Sequence, residues 1–137
     1  MSTEPPSPQE QVRSGVHRKG SSRAAPEVLH AVIPAAGLGQ RFDPQSEFKP
    51  SKAKQYHELA GKAVIVHSVQ ALLKVQSIAC VWVVLAPGDR EGPQLLAQEL
   101  LKNPQRLQLC LQGGTERRDS VLAGLMLAHK AAPRWVL

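Results

Sequence analysis

Three short stretches of the sequence carry residue types that suit chemistry on an anion. The first is PAAGLGQRF, Pro34 to Phe42, where Gly37, Gly39 and Arg41 follow an apolar run. Glycines let backbone amides approach an anion closely, and a guanidinium grips a phosphate through two parallel N–H bonds. The second is AKQY, Ala53 to Tyr56, in which Lys54 offers a compact positive charge to a phosphate. The third is GGTERRDSV, Gly113 to Val121. Its glycines permit flat packing of a planar base against backbone, Thr115 and Ser120 bring hydroxyls, and a helix's first turn brings amide donors. Each stretch also has a plain alternative. These are a glycine turn beside a solvated arginine, a surface lysine, and a Gly-Gly turn whose helix is capped by Thr115 or Glu116, with Arg117 and Arg118 solvated.

Two familiar phosphate loops are excluded. Phe42 stands where a dinucleotide fingerprint needs its third glycine, and no Gly-Lys-Ser/Thr follows.

The elements that must position these loops follow from the hydrophobic pattern. VLHAVIP, Val28 to Pro34, is a short β-branched run stopped by proline and reads as a buried strand. AVIVHSVQALLKV sets Ile65, Val69, Leu72 and Leu73 on one helical face. CVWVVLA, Cys80 to Ala86, is a second strand ended by Pro-Gly-Asp. GPQLLAQELLKNP is a helix with Pro93 in its first turn and a stop at Asn103-Pro104. LQLCLQ is a third strand, TERRDSVLAGLMLAHK a third helix, and RWVL opens a fourth strand expected beside the first. This β-α-β-α-β-α-β order predicts an α/β fold, a Rossmann-like three-layer parallel sheet with helices on both faces. Ligands in such sheets sit beyond the carboxyl ends of the strands, where three loops fall: Pro34 to Gln55, Ala86 to Gly92 and Gln112 to Thr115.

Composition narrows the partners. The chain has 137 residues and a formal charge of +6. Residues 1–28 hold four of the eleven prolines and few large hydrophobes, so they read as a disordered tail, with residues 29–137 as the domain. The tail sets Arg13, Arg18, Lys19 and Arg23 against Glu4, Glu10 and Glu27, a net +1 that leaves +5 for the remainder. Arg41, Lys49, Lys52, Lys54 and Lys62 crowd one segment, which calls for an anionic partner. Among them Tyr56 is the only aromatic after Phe48, and no nucleic-acid module pattern is present, so a small phosphorylated ligand fits at least as well as RNA. No apolar run approaches the roughly 20 residues of a membrane span, and no secretory leader is evident. Cys80 and Cys110 lie in apolar runs and read as reduced, buried thiols, as in a cytoplasmic protein.

In combination the segments VIPAAGLGQRF, KQYHELAGKAVIVHSVQALL, VVLAPGD and GGTERRDSVLAGL resemble the 2-C-methyl-D-erythritol 4-phosphate cytidylyltransferases of non-mevalonate isoprenoid synthesis, from about Val28 to Leu137. The resemblance implies transfer of CMP from CTP to the 4-phosphate of methylerythritol phosphate, with release of pyrophosphate and with Mg2+ holding the triphosphate. It implies that Arg41 and Lys54 are catalytic, stabilising the pentacovalent α-phosphate. Pro34, Ala35, Ala36, Gly37 and Gly39 would line the nucleotide, and Gly113, Gly114, Thr115, Arg117 and Ser120 would read cytosine. It further implies a homodimer, with neither membrane nor nucleic acid as partner.

The sequence departs from the family pattern at several points. Ala53 stands where proline usually precedes the lysine, Thr115 stands where aspartate is common, and the stretch from Arg41 to Lys54 is longer than usual, so Lys49 or Lys52 competes with Lys54. The chain covers roughly the first half of the family's catalytic domain. The expectation is therefore a nucleotide-binding half-site without the metal-holding carboxylates or the dimer arm, weakly active or inactive alone, and with marginal folding at an apolar sheet edge. Two other classes stay open: a nucleotidyltransferase acting on a sugar phosphate or molybdopterin, and a non-catalytic phosphate- or RNA-binding module.

Overall fold

The structure, a computed structural model, describes residues 28–37 and 53–137. Residues 1–27 of the expected tail, and the loop stretch that carries Gly39, Arg41, Lys49 and Lys52, lie outside the described residues. Val28, read as the tail's last residue, is described, and its carbonyl accepts the Arg134 and Trp135 amides.

The elements run in chain order β1 (Leu29–Pro34), a 3-10 turn (Lys54–Tyr56), β2 (Glu58–Leu59), β3 (Lys62–Ala63), α1 (Val64–Leu73), β4 (Ile78–Val84), α2 (Glu91–Lys102), β5 (Leu107–Cys110), α3 (Arg117–Lys130) and β6 (Trp135–Val136). Four strands form a parallel sheet in the order β5-β4-β1-β6. The register sets Ala31 beside Val81 and Val84 beside Cys110, and Leu29 beside Trp135, so the last strand does lie against the first.

The winding explains the layers. From β1 to β4 to β5 the chain steps one way across the sheet through α1 and α2, and from β5 it returns past β1 to β6 through α3. Right-handed crossovers in opposite directions place their helices on opposite faces. The packing agrees. Ile65 and Val69 of α1 and Leu96 of α2 share one core with Ala31, Val81, Val83, Leu85 and Leu107. On the other face, α3 buries Ser120, Gly124 and Ala128, three small residues at i, i+4 and i+8.

That small-residue line lets α3 lie close to the sheet. A Cβ on Gly124 would stand 2.4 Å from Val32 Cγ1 and 2.9 Å from Val84 Cγ2. The larger core lies beneath α1 and α2, where Val69, Val81, Val83 and Leu96 are wholly enclosed. Each such side chain contributes roughly 1.5–3 kcal/mol over its exposed state. Cys80 and Cys110 are both buried and free. Among the described residues, no helix is long and apolar enough to cross a membrane.

One element has no counterpart in the sequence reading. The β2–β3 hairpin turns through Ala60 and Gly61, at φ 50° and 75°. A two-residue hairpin with both φ positive normally advertises itself by Asn-Gly, and here alanine occupies the first of the two positions. Its site-facing neighbour, the 3-10 turn, is held by Tyr56 N–H to Ala53 O and His57 N–H to Lys54 O.

Candidate functional site

Three chain segments meet at the carboxyl edge of the sheet because the ladder continues past the strands. Ala35 N–H donates to Val84 O at 2.7 Å, Leu85 N–H to Cys110 O at 2.7 Å, and Gly113 N–H to Leu85 O at 2.8 Å. The residues after β1, β4 and β5 are thereby locked side by side. Pro34 closes β1, Ala35 and Ala36 are buried, and Gly37 emerges at the surface.

The two glycines after β5 have a steric cause. A Cβ on Gly113 would stand 2.2 Å from Ala36 Cβ and 2.7 Å from Leu85 O, and one on Gly114 would stand 2.2 Å from Asp119 Cβ. Gly113 thus brings the third segment onto the first, and Gly114 brings it onto the start of α3. Thr115, Glu116 and Arg117 are exposed just beyond, and Ser120 is buried.

The α3 N-terminus is built by its own acids. Glu116 is the N-cap and pairs reciprocally with Asp119 in a capping box. Arg118 Nε lies 2.9 Å from Glu116 Oε2, so this arginine is an exposed ion-pair partner. The capping alternative for Glu116 therefore holds. Ser120 Oγ donates to Gly114 O at 3.4 Å.

Lys54 opens the 3-10 turn with its side chain exposed at this edge. The two residues after it are tied to different parts of the site. Gln55 Nε2 donates to Ala35 O at 2.7 Å and to Gly37 O at 3.3 Å. Tyr56, nearly enclosed, donates its phenol proton to Asp89 Oδ2. Asp89 Oδ1 in turn accepts the Gly92 amide at the start of α2 at 3.0 Å. Burial first, and then the Asp89 carboxylate, hold the Tyr56 phenol well above its ordinary range, so it remains a proton donor.

Gln55 and Tyr56 lie in the AKQY stretch, and Asp89 and Gly92 in the loop expected at the ligand edge, but the sequence reading gave none of the four a role. Pro-Gly-Asp reads as a strand stop, and nothing in it says that the aspartate faces a tyrosine 33 positions earlier.

The metal expectation can be tested against these groups. Among the described residues, no three His, Cys, Asp or Glu side chains gather around one point. Asp89, the carboxylate in the β4–α2 segment, already accepts from Tyr56 and Gly92. The described residues thus form no all-protein cation cage.

With this geometry in hand, comparison with known proteins is decisive for kinship. The family model for 2-C-methyl-D-erythritol 4-phosphate cytidylyltransferase matches residues 29–137. The chain belongs to this family. The same family name is carried by a relative from Salmonella heidelberg (strain SL476), 40% identical over 107 residues, and by one from Salmonella typhi at the same identity. Each match covers 78% of this chain and 40% of the relative, so the chain spans about 40% of the length of the curated relatives it matches. The cytidylyltransferase match begins with β1 and takes in all three segments of the candidate site.

Proposed function

We propose that this chain is the nucleotide-binding part of a 2-C-methyl-D-erythritol 4-phosphate cytidylyltransferase, and that it holds CTP at the carboxyl edge of its sheet. The reaction joins an oxygen of the 4-phosphate to the α-phosphorus of CTP and breaks the bond to the β-phosphate, releasing pyrophosphate. The observation that carries this reading is the convergence of Ala35–Gly37, the Lys54 turn and Gly113–Ser120, together with the family match over the same residues.

Phosphoryl-type transfer asks the protein for placement and charge neutralisation more than covalent chemistry. In this reading Arg41 and Lys54 neutralise the charge that develops on the α-phosphate. Pro34, Ala35, Ala36, Gly37 and Gly39 shape the backbone around the nucleotide. Gly113, Gly114, Thr115, Arg117 and Ser120 face the base. The hydrogen bond from Ser120 to Gly114 supports cytosine, because a hydroxyl that spends its proton on a carbonyl offers only lone pairs. Those suit the amino group of cytosine and leave the carbonyl of uracil unpaired, a mismatch that costs about 1–3 kcal/mol when buried.

The experiment is a calorimetric titration of the purified chain with CTP, UTP and ATP in Mg2+ buffer, on wild type and Arg41→Ala. The expected result is selective CTP binding that weakens about tenfold or more in Arg41→Ala. Equal affinity for all three nucleotides overturns cytosine recognition. Affinity for RNA that collapses with salt, with indifference to CTP, would favour a phosphate-binding module instead.

A further inference from the structure

Lys54 is a solvent-facing residue on a three-residue turn, and such a turn has little rigidity of its own. A long lysine side chain also has high rotamer freedom, so a charge placed by it is only as well placed as its backbone. The structure gives this turn two anchors. On one side Gln55 reaches the carbonyls of Ala35 and Gly37 in the nucleotide segment. On the other, Tyr56 reaches Asp89, and Asp89 is itself fixed by the Gly92 amide.

The second anchor is built tightly. A Cβ on Gly92 would lie 2.7 Å from both Tyr56 Oη and Leu85 Cδ1, so only glycine lets α2 begin this close to the phenol. Every polar atom of the anchor has a partner, as burial demands. Both anchors act on the residues that follow Lys54.

We propose that Gln55, Tyr56 and Asp89 are positioning residues that hold the backbone of Lys54 beside the Ala35–Gly37 segment, so that its ammonium meets the triphosphate of the bound nucleotide. The proposal rests on the reading of Lys54 as a phosphate-contacting group. It assigns the Pro-Gly-Asp segment after β4 a part in the site, with Asp89 acting through Tyr56 and not on the ligand.

A double-mutant cycle on the 137-residue chain separates positioning from general support. CTP affinity in Mg2+ buffer is measured for wild type, Tyr56→Phe, Lys54→Gln and the double variant, and Gln55→Ala repeats the test on the other anchor. Tyr56→Phe keeps the ring and its packing and removes only the donor. The expected result is that Tyr56→Phe and Gln55→Ala each weaken CTP binding about tenfold in the Lys54 background and hardly at all once Lys54 is glutamine. Equal losses in both backgrounds would make the role structural and overturn the proposal.

Amide exchange at His57, whose N–H donates to Lys54 O, gives a readout independent of ligand. It should quicken in Tyr56→Phe. Unchanged exchange in a chain that binds CTP overturns the anchor alone. Quickened exchange in a chain whose wild type ignores CTP overturns the nucleotide reading, and the positioning role with it.

Discussion

At the residue scale, two glycines and a histidine show how far one position's chemistry depends on its neighbours. Gly113 and Gly114 look like a base platform in the sequence. In the structure their lack of a side chain also lets the third segment touch Ala36 and the start of α3. His30 shows the same dependence in its protonation. It is buried on the α3 side of β1, and its Nδ1 accepts the Trp82 indole proton at 3.1 Å. Burial lowers its pKa from the ordinary 6.5. The unfolded chain therefore binds this proton at a pH where the folded chain does not. Stability on this account is intact above about 6.5 and falls as pH drops below it toward the lowered folded value. Thermal melts of wild type should lose midpoint between pH 7 and pH 5, and His30→Gln should reduce that loss.

At the element scale, the asymmetry between the two faces of the sheet governs what the helices tolerate. α1 and α2 pack through branched side chains, whereas α3 packs through Ser120, Gly124 and Ala128. Gly124→Val drives methyl groups into Val32 and Val84, and overpacking of this kind costs about 1–3 kcal/mol. Leu122→Ala, on the exposed side of the same helix, should change stability by no more than about 0.5 kcal/mol. Urea unfolding of the two variants checks the contrast, and a larger loss in Leu122→Ala would show that the outer face of α3 is already covered.

At the scale of the whole molecule, that outer face and the β6 edge together present several exposed apolar side chains among the described residues. Leu125, Met126, Trp135 and Leu137 are all exposed, and an open groove of about 360 Å³ runs between Leu125, Met126, His129, Pro133 and Val136. β6 pairs with β1 through Leu29–Trp135 and His30–Val136, and the chain's last residue still exchanges hydrogen bonds with His30 and Val32. A sheet edge of this kind invites association. The isolated chain should bind a hydrophobic dye such as anilinonaphthalene sulfonate. Leu125→Lys with Met126→Glu should cut that fluorescence at least twofold while shifting stability by no more than about 0.5 kcal/mol per site. Undiminished dye binding in the double variant would place the accessible apolar surface elsewhere.

The sequence by itself determined the four parallel strands, the three helices and the carboxyl-edge location of the candidate loops. These depend on hydrophobic period and on punctuation by proline and glycine, which are local properties. The place of β6 beside β1 was expected too and is observed, although the winding alone leaves the β5 edge equally open. The β2–β3 hairpin was not legible, because Ala60-Gly61 adopts its two positive φ values without the usual Asn-Gly signature. Nor were the Tyr56–Asp89–Gly92 anchor and the Gly113–Ala36 contact, which join residues from separate loops. Only the tertiary structure decided those. Which loop meets which is set by register and strand order, and a side chain finds its partner only after the sheet has brought the two loops together.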